Sequence, residues 1–390
     1  MSRSADRSDG GPSDDGLRAA RLAAQGLTDR SASTVEDVVE RLQATQAQDL
    51  RAARLAVRAR SVGLTAADVD AALSDERSVV VGWLNRGTLH LVPAADWWWL
   101  HGLTGHRHAT AVRRRLIQEG VSEEQAERGV GVVSEAVRSG GPMTRDQLRD
   151  VLDDAGVPTA GQALVHVLFA ASVEGLLVRG PVVDGQQAFV DPVSWLGPAE
   201  AVDEDEALGR LAAGYLRGHQ PADARDLAAW SGLPLGACRR ALAAVADRTE
   251  PWGDDRVRLA DDVLVPGVPA RAGAGSGAVP TPARGRRRAA ELPAPRLLGG
   301  FDPILHGWTD RSAFVGDHAG VVTVNGIFRA TALVEGRVVG TWKMDRHRVE
   351  LAAFERLTPT VRRALEAEVA DVQRFLGLPV DGGLTIVEDA

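Results

Sequence analysis

Residues 79–92 read VVVGWLNRGTLHLV. Val79 to Trp83 is a β-branched run, and Gly87 to Val92 alternates Thr88, His90 and Val92 against Leu89 and Leu91, so two short strands forming a hairpin are expected. Upstream stand three helical patterns, Leu17 to Leu27, Thr34 to Gln43 and Ala66 to Leu73. Ser33 or Thr34 supplies an N-cap with Glu36 and Asp37 in the first turn, and Thr65 caps the third pattern. Helices followed by a hairpin make the winged-helix order.

The order recurs downstream. Thr144 to Leu152 and Gly161 to Val173 read as helices around a Pro158-Thr159 turn, and Leu176 to Arg179 and Gln187 to Val190 flank a Gly-Pro and Asp-Gly turn. A third copy has helices at Asp205 to Arg217, Ala222 to Ser231 and Leu235 to Val245, with a strand at Val257 to Leu259. The repetition is of architecture, and each unit alone would have a marginal core. Residues 266–294, rich in Ala, Gly, Pro and Arg, are too poor in apolar side chains to fold and read as a flexible linker. Beyond it, Val321 to Val324, Phe328 to Val334 and Arg337 to Lys343 are β-like, with Glu335-Gly336 as a tight turn, and a helix from Pro359 to Leu376 stops at Gly377 and Pro379. The expected fold class is therefore α+β: a disordered tail (1–13), winged helices at 14–138, 139–199 and 200–265, the linker, and a small β-rich C-terminal domain at 295–390.

Composition narrows the function classes. With 44% hydrophobic and 25% charged residues in 390, the chain is globular. The single cysteine, Cys238, excludes an internal disulfide and a Cys-rich metal cluster and fits a reducing, cytoplasmic setting. The N-terminus has no apolar run of a signal peptide, and Trp97-Trp98-Trp99 is far too short to span a bilayer. A net charge of −8 argues against a protein that coats DNA non-specifically but allows a local basic channel. Arginines cluster at Arg51, Arg54, Arg58 and Arg60, at Arg113 to Arg115 and at Arg286 to Arg288; such groups are as often a solvated face as a binding surface.

After the second helical pattern the chain reads LQATQAQD (42–49) and then RAARLAVRAR (51–60). The pair Gln46 and Gln48 resembles the Q-x-Q motif of the AlkZ/YcaQ-type winged-helix DNA glycosylases. The blocks RGTLHLVPAADW (86–97), AAWSGLPLGACRRAL (228–242), GFDPILHGWTDRS (300–312) and NGIFRATALVEGRVVGTWK (325–343) agree with it in order and spacing. The third motif position is glutamine, as in the AlkZ-like branch, and Asp49 stands one place too late to be the carboxylate of the Q-x-D branch. The resemblance implies a C-shaped protein with Gln46 and Gln48 facing a DNA channel, removal of alkylated purines from double-stranded DNA, crosslink unhooking and self-protection against DNA-alkylating natural products.

Glutamine chemistry is restrictive on its own terms. An amide does not titrate; it orients water through its carbonyl and donates from its NH₂. Forgoing a general base loses ~10²- to 10⁴-fold, which a purine made cationic by alkylation tolerates because it leaves readily. Cationic 7-alkylguanine and 3-alkyladenine are therefore the expected substrates. On a helix Arg51, Arg54 and Arg58 fall on one stripe, suited to phosphate contacts. Arg86, Thr88 and His90 complete the expected DNA contacts, although Thr88 and His90 share a strand face that points either into the channel or into the core. His101, His106 and His108 match no familiar zinc spacing, and no phosphate-cradling glycine loop occurs, so neither metal nor cofactor is expected. Lys343, the only lysine, lies in the distal hairpin, away from any lyase role. A monomeric, monofunctional enzyme is expected. The alternative is a non-enzymatic winged-helix transcription regulator, disfavoured because three unlike units in one chain lack the two-fold symmetry of a palindromic operator.

Overall fold

In the computed structural model, which describes residues 14–199, 201–253, 255–260, 293–381 and 383–388, the 79–92 stretch forms the expected hairpin. The tail at 1–13 and all of the 266–294 linker but its last two residues, with Arg286 to Arg288, lie outside the described residues.

The first unit contains α1 (Asp14–Ala24), α2 (Val35–Leu42), a two-residue strand β1 (Thr45–Gln46), α3 (Leu50–Arg60), α4 (Ala66–Ser74), β2 (Val79–Trp83) and β3 (Leu89–Pro93). Thr34 and Thr65 cap α2 and α4 in reciprocal boxes with Asp37 and Asp68. Asp49 caps α3 by accepting from the Arg51 and Ala52 amides, a structural task that accounts for its carboxylate. The tryptophan run forms α5 (Trp97–Leu100), with Trp97 and Trp99 buried, and leads to α6 (Ala109–Gln118).

Two further sets of helices each precede a hairpin. The second unit comprises α7 (Glu123–Gly140), α8 (Arg145–Asp154), α9 (Ala163–Val173), β4 (Val178–Val183) and β5 (Gln186–Val190), followed by the short α10 (Pro192–Leu196). The third comprises α11 (Glu204–His219), α12 (Ala224–Ser231), α13 (Leu235–Ala243), β6 (Thr249–Gly253) and β7 (Arg256–Leu259). The C-terminal region holds β8 (Arg296–Leu298), α14 (Ser312–Val315), β9 (Thr331–Val334), β10 (Arg337–Asp345), β11 (Arg348–Ala353), α15 (Pro359–Phe375) and β12 (Leu384–Glu388). Glu335 and Gly336 both adopt positive φ, the requirement of the tight β9–β10 turn. The strand expected at Val321–Val324 is absent: the run is interrupted by a turn in which the Gly326 amide donates to the Thr323 carbonyl, leaving only a bridge between Val322 and Phe328.

The units do not hang as separate beads. The hairpins of the first two form one five-stranded sheet, β1-β3-β2-β4-β5, joined through Val81 opposite Arg179, so β2 is not left as an unpaired edge. One apolar core runs through both units and into the C-terminal sheet and α15; a second joins α1, the third unit and the chain from Leu298 to Val338. The C-terminal region therefore packs against the first and third units alike. That arrangement brings residues from opposite ends of the chain to one cleft.

Candidate active site

Strand β1 exists because it completes the sheet edge beside β3. Thr45 pairs with Leu91 and Gln46 with His90, and directly opposed residues of an antiparallel pair share a face, so Gln46 stands over His90. The Ala47 amide donates to the Leu89 carbonyl at 2.7 Å, which extends the pairing toward Gln48. Gln46 is largely buried, whereas Gln48 is exposed.

Both glutamine amides have a defined orientation. Arg86 Nη2 donates to Gln46 Oε1 at 3.4 Å, and the Leu89 amide donates to Gln48 Oε1 at 3.3 Å. Only an oxygen accepts from such donors, so each carbonyl faces its partner and keeps one further lone pair. Arg86, at positive φ between β2 and β3, also donates through Nη1 to the Trp230 carbonyl at the end of α12. Burial lowers its guanidinium to about 10.

Gln46, Arg86, Thr88, His306, Arg311 and Phe328 are among the residues lining a cleft of about 440 Å³. Among the described residues that line it, none is acidic. All four sequence blocks quoted above contribute, the third unit through Ala229. Segment 300–312 is held there by buried polar bonds: Arg60 bidentate on Asp302 at 2.8 and 3.0 Å, Trp308 Nε1 on the His219 carbonyl at 2.7 Å, and Thr309 Oγ1 on Asp226 at 2.7 Å. His219 itself is enclosed by Tyr215, Trp230 and Trp308, and burial brings it down to about 3. His306 and Arg311 were not singled out from sequence. Both belong to segment 300–312, whose sequence carries no local signal that it meets Gln46.

The expected arginine stripe is corrected in part. Only Arg51, at the start of α3, is exposed. Arg54 is partly buried and paired with Asp70. Arg58 is fully buried: it donates to Glu368 at 2.9 Å, to Asp371 at 2.9 Å and to the Leu297 carbonyl at 2.5 Å, joining α3 to α15 and β8. A helical stripe specifies a shared face, and here α4 engages that face at Arg54 while α15 and β8 cover it at Arg58. Arg58 is therefore withdrawn as a DNA contact. His90 is withdrawn with it: at 1% exposure it lies beneath Gln46, its Nδ1–H donating to the Thr88 carbonyl at 3.0 Å, and burial holds it neutral. Thr88, half-buried, lines the cleft and donates to the Asn85 carbonyl. Arg113, Arg114 and Arg115 form an exposed face of α6.

His101 Nε2 donates to the Ser172 carbonyl at 2.8 Å and its ring stacks on Trp97. Among the described residues no group of three or more His, Cys, Asp or Glu side chains is placed to hold a metal ion. Nor is any described helix long and apolar enough to cross a membrane.

A mixed α/β fold with a cationic cleft lined by no described carboxylate suits a protein that acts on DNA, and comparison with known proteins specifies the class as DNA glycosylase. Residues 39–375 match the model of the family described as DNA glycosylase AlkZ-like. A relative from Streptomyces sahachiroi, described as an interstrand DNA cross-link repair glycosylase, is 27% identical over 379 residues, which span 92% of this chain and 95% of the relative. The solved structure of the Streptomyces sahachiroi DNA glycosylase AlkZ superposes with a TM-score of 0.74 at 23% identity, covering 97% of this chain and all of that one. The chain belongs to the AlkZ-like DNA glycosylase family. The regulator alternative is not favoured by this membership.

Proposed function

We propose that the protein excises cationic N-alkylated purines, 7-alkylguanine and 3-alkyladenine, from duplex DNA, with Gln46 and Gln48 orienting the water that attacks the sugar C1′. The observation that carries this reading is Gln46 on the wall of a cleft lined by two arginines and by no described carboxylate. A site of that kind assists a purine that already departs readily and does little for a normal base. Arg86 and Arg311 supply charge for lesion-strand phosphates, Thr88 adds a contact in the same cleft, and the exposed Arg51 adds a phosphate contact outside it. The three helix-plus-hairpin units act as winged helices along the duplex.

The name of the Streptomyces sahachiroi relative supports extending the substrates to interstrand crosslinks and bulky natural-product adducts. Monofunctional chemistry fits the position of Lys343, which is exposed on β10 and paired with Glu350 at 2.8 Å. We take the enzyme to act as a monomer in the cytoplasm, where its single, buried cysteine stays reduced.

The test is incubation with duplex DNA carrying 7-methylguanine, followed by alkali to cut abasic sites, for wild type, Gln46→Ala and Gln48→Ala. Alkali-dependent cleavage by wild type and its loss in both variants is the expected result. Strand cleavage before alkali would contradict monofunctional action. No release from 7-methylguanine, from 3-methyladenine or from a bulky 7-alkylguanine adduct would sink the reading.

A further inference from the structure

We propose that His306 is a catalytic residue whose Nδ1 accepts the proton of the attacking water, supplying the base that two glutamines cannot. This rests on the glycosylase reading above and deepens it.

The geometry carries the argument. His306 Nε2 lies 2.7 Å from the Phe301 carbonyl oxygen. A carbonyl only accepts, so Nε2 carries the hydrogen and the neutral ring keeps its lone pair on Nδ1. Nδ1 is buried, has no hydrogen-bond partner among the described residues, and belongs to a residue that is 8% exposed yet lines the same cleft as Gln46. An orphaned acceptor on a cleft wall calls for a donor from the ligand side, since leaving such an atom unmade is costly. The ring packs against Phe328 with centroids 5.4 Å apart and planes at 70°, and the Arg311 guanidinium lies over the Phe328 ring.

The surroundings explain why an imidazole stands here. Among the described residues, the charged and titratable groups that act on it are Arg86, Arg311, Asp302, His90 and His219. Asp302 is committed to Arg60 and to the Ile304 amide. A carboxylate at position 306 would pair with Arg86 and Arg311 and be silenced as an acceptor, whereas a neutral imidazole beside two cations remains one. Burial and Arg86 bring His306 down to about 4, so it is unprotonated throughout the neutral range. Such a weak base is adequate, because water attacks an oxocarbenium-like sugar and gives up its proton late.

The step balances. The C1′–N9 bond breaks with its electron pair going to the cationic purine, which leaves neutral. Water oxygen bonds to C1′, one water proton passes to Nδ1, and the imidazolium, disfavoured by burial, returns that proton to solvent.

The test compares single-turnover excision of 7-methylguanine by wild type, His306→Ala, His306→Phe and His306→Asn, with melting curves and duplex affinity measured in parallel. The Phe variant keeps a ring against Phe328 but has no lone pair. Losses of ~10²- to 10⁴-fold are expected for Ala and Phe with duplex affinity retained. Asn, whose side-chain oxygen falls near the Nδ1 position, retains more. Free imidazole should restore His306→Ala, and a series of substituted imidazoles should rescue in the order of their basicity; neither should rescue Gln46→Ala. A folded Phe variant at the wild-type rate, or rescue that ignores basicity, overturns the proposal while leaving the glycosylase intact. Wild-type protein inactive on every alkylated duplex would instead remove the glycosylase reading and this inference with it.

Discussion

Replacing Arg58 by Met separates a structural role from a DNA-binding one. The substitution keeps most of the side-chain volume and deletes the guanidinium bonds to Glu368, Asp371 and the Leu297 carbonyl. Breaking a buried ion pair costs about 3–5 kcal/mol, because the remaining charge is left desolvated. Here the lower end applies. Glu368 keeps Arg296 at 2.9 Å and the Leu297 amide at 3.1 Å, and Asp371 keeps Arg30 at 3.2 Å and Arg374 at 2.8 Å. Urea unfolding followed by tryptophan fluorescence should show a loss of about 3 kcal/mol. The dependence of duplex affinity on salt supplies the second reading. Each lost phosphate contact makes the log–log slope shallower by about 0.9, so Arg58→Met should leave the slope unchanged while Arg51→Ala reduces it. An Arg58→Met protein with wild-type stability and a slope shallower by about 0.9 would refute the assignment of Arg58 to the interior.

Two further outcomes test the packing. Burial lowers His90, His101, His219 and His306 below the ordinary histidine value, so between about pH 6.5 and 4 the unfolded chain binds protons that the folded chain refuses. Stability should accordingly fall with pH through that window, by at most about 1.4 kcal/mol per pH unit for each histidine, and a urea midpoint that is flat from pH 7 to 4.5 would contradict it. On α11, a Cβ at Gly218 would stand 2.4 Å from the Arg41 carbonyl oxygen and 3.1 Å from Leu42 Cα, backbone that cannot rotate away. Gly218→Ala should therefore cost about 1–3 kcal/mol, whereas Gly209→Ala, whose Cβ meets only Ala244 at an ordinary 3.6 Å, should be neutral or stabilising by helix propensity; equal melting temperatures for the two variants would disprove this helix contact.

Much of the local structure follows from the chain itself. The β-branched run at 79–83 and the alternation after Gly87 specify a hairpin, Thr34 and Thr65 carry their caps three residues ahead of a carboxylate, and Gly377, at positive φ, ends α15. These signals act between neighbours, so no tertiary information is needed. Helix α7 was not anticipated although Ser122 and Gln125 offer a capping box, because Gly129 and Gly131 dilute its helical pattern. Gln46 and Gln48 were legible only through resemblance, since two glutamines one residue apart have no periodicity or spacing that distinguishes them from a solvated turn. What the tertiary structure alone decided is which surfaces are covered and which distant residues meet. Arg51, Arg54 and Arg58 share one face of α3, and the packing of α15 and β8 turns that face from solvent at Arg51 to interior at Arg58. His306 and Arg311 reach Gln46 because Asp302, Trp308 and Thr309 are tied to the first and third units. Long-range contacts of this kind depend on complementary burial of groups far apart in the chain, and no single segment records its partner.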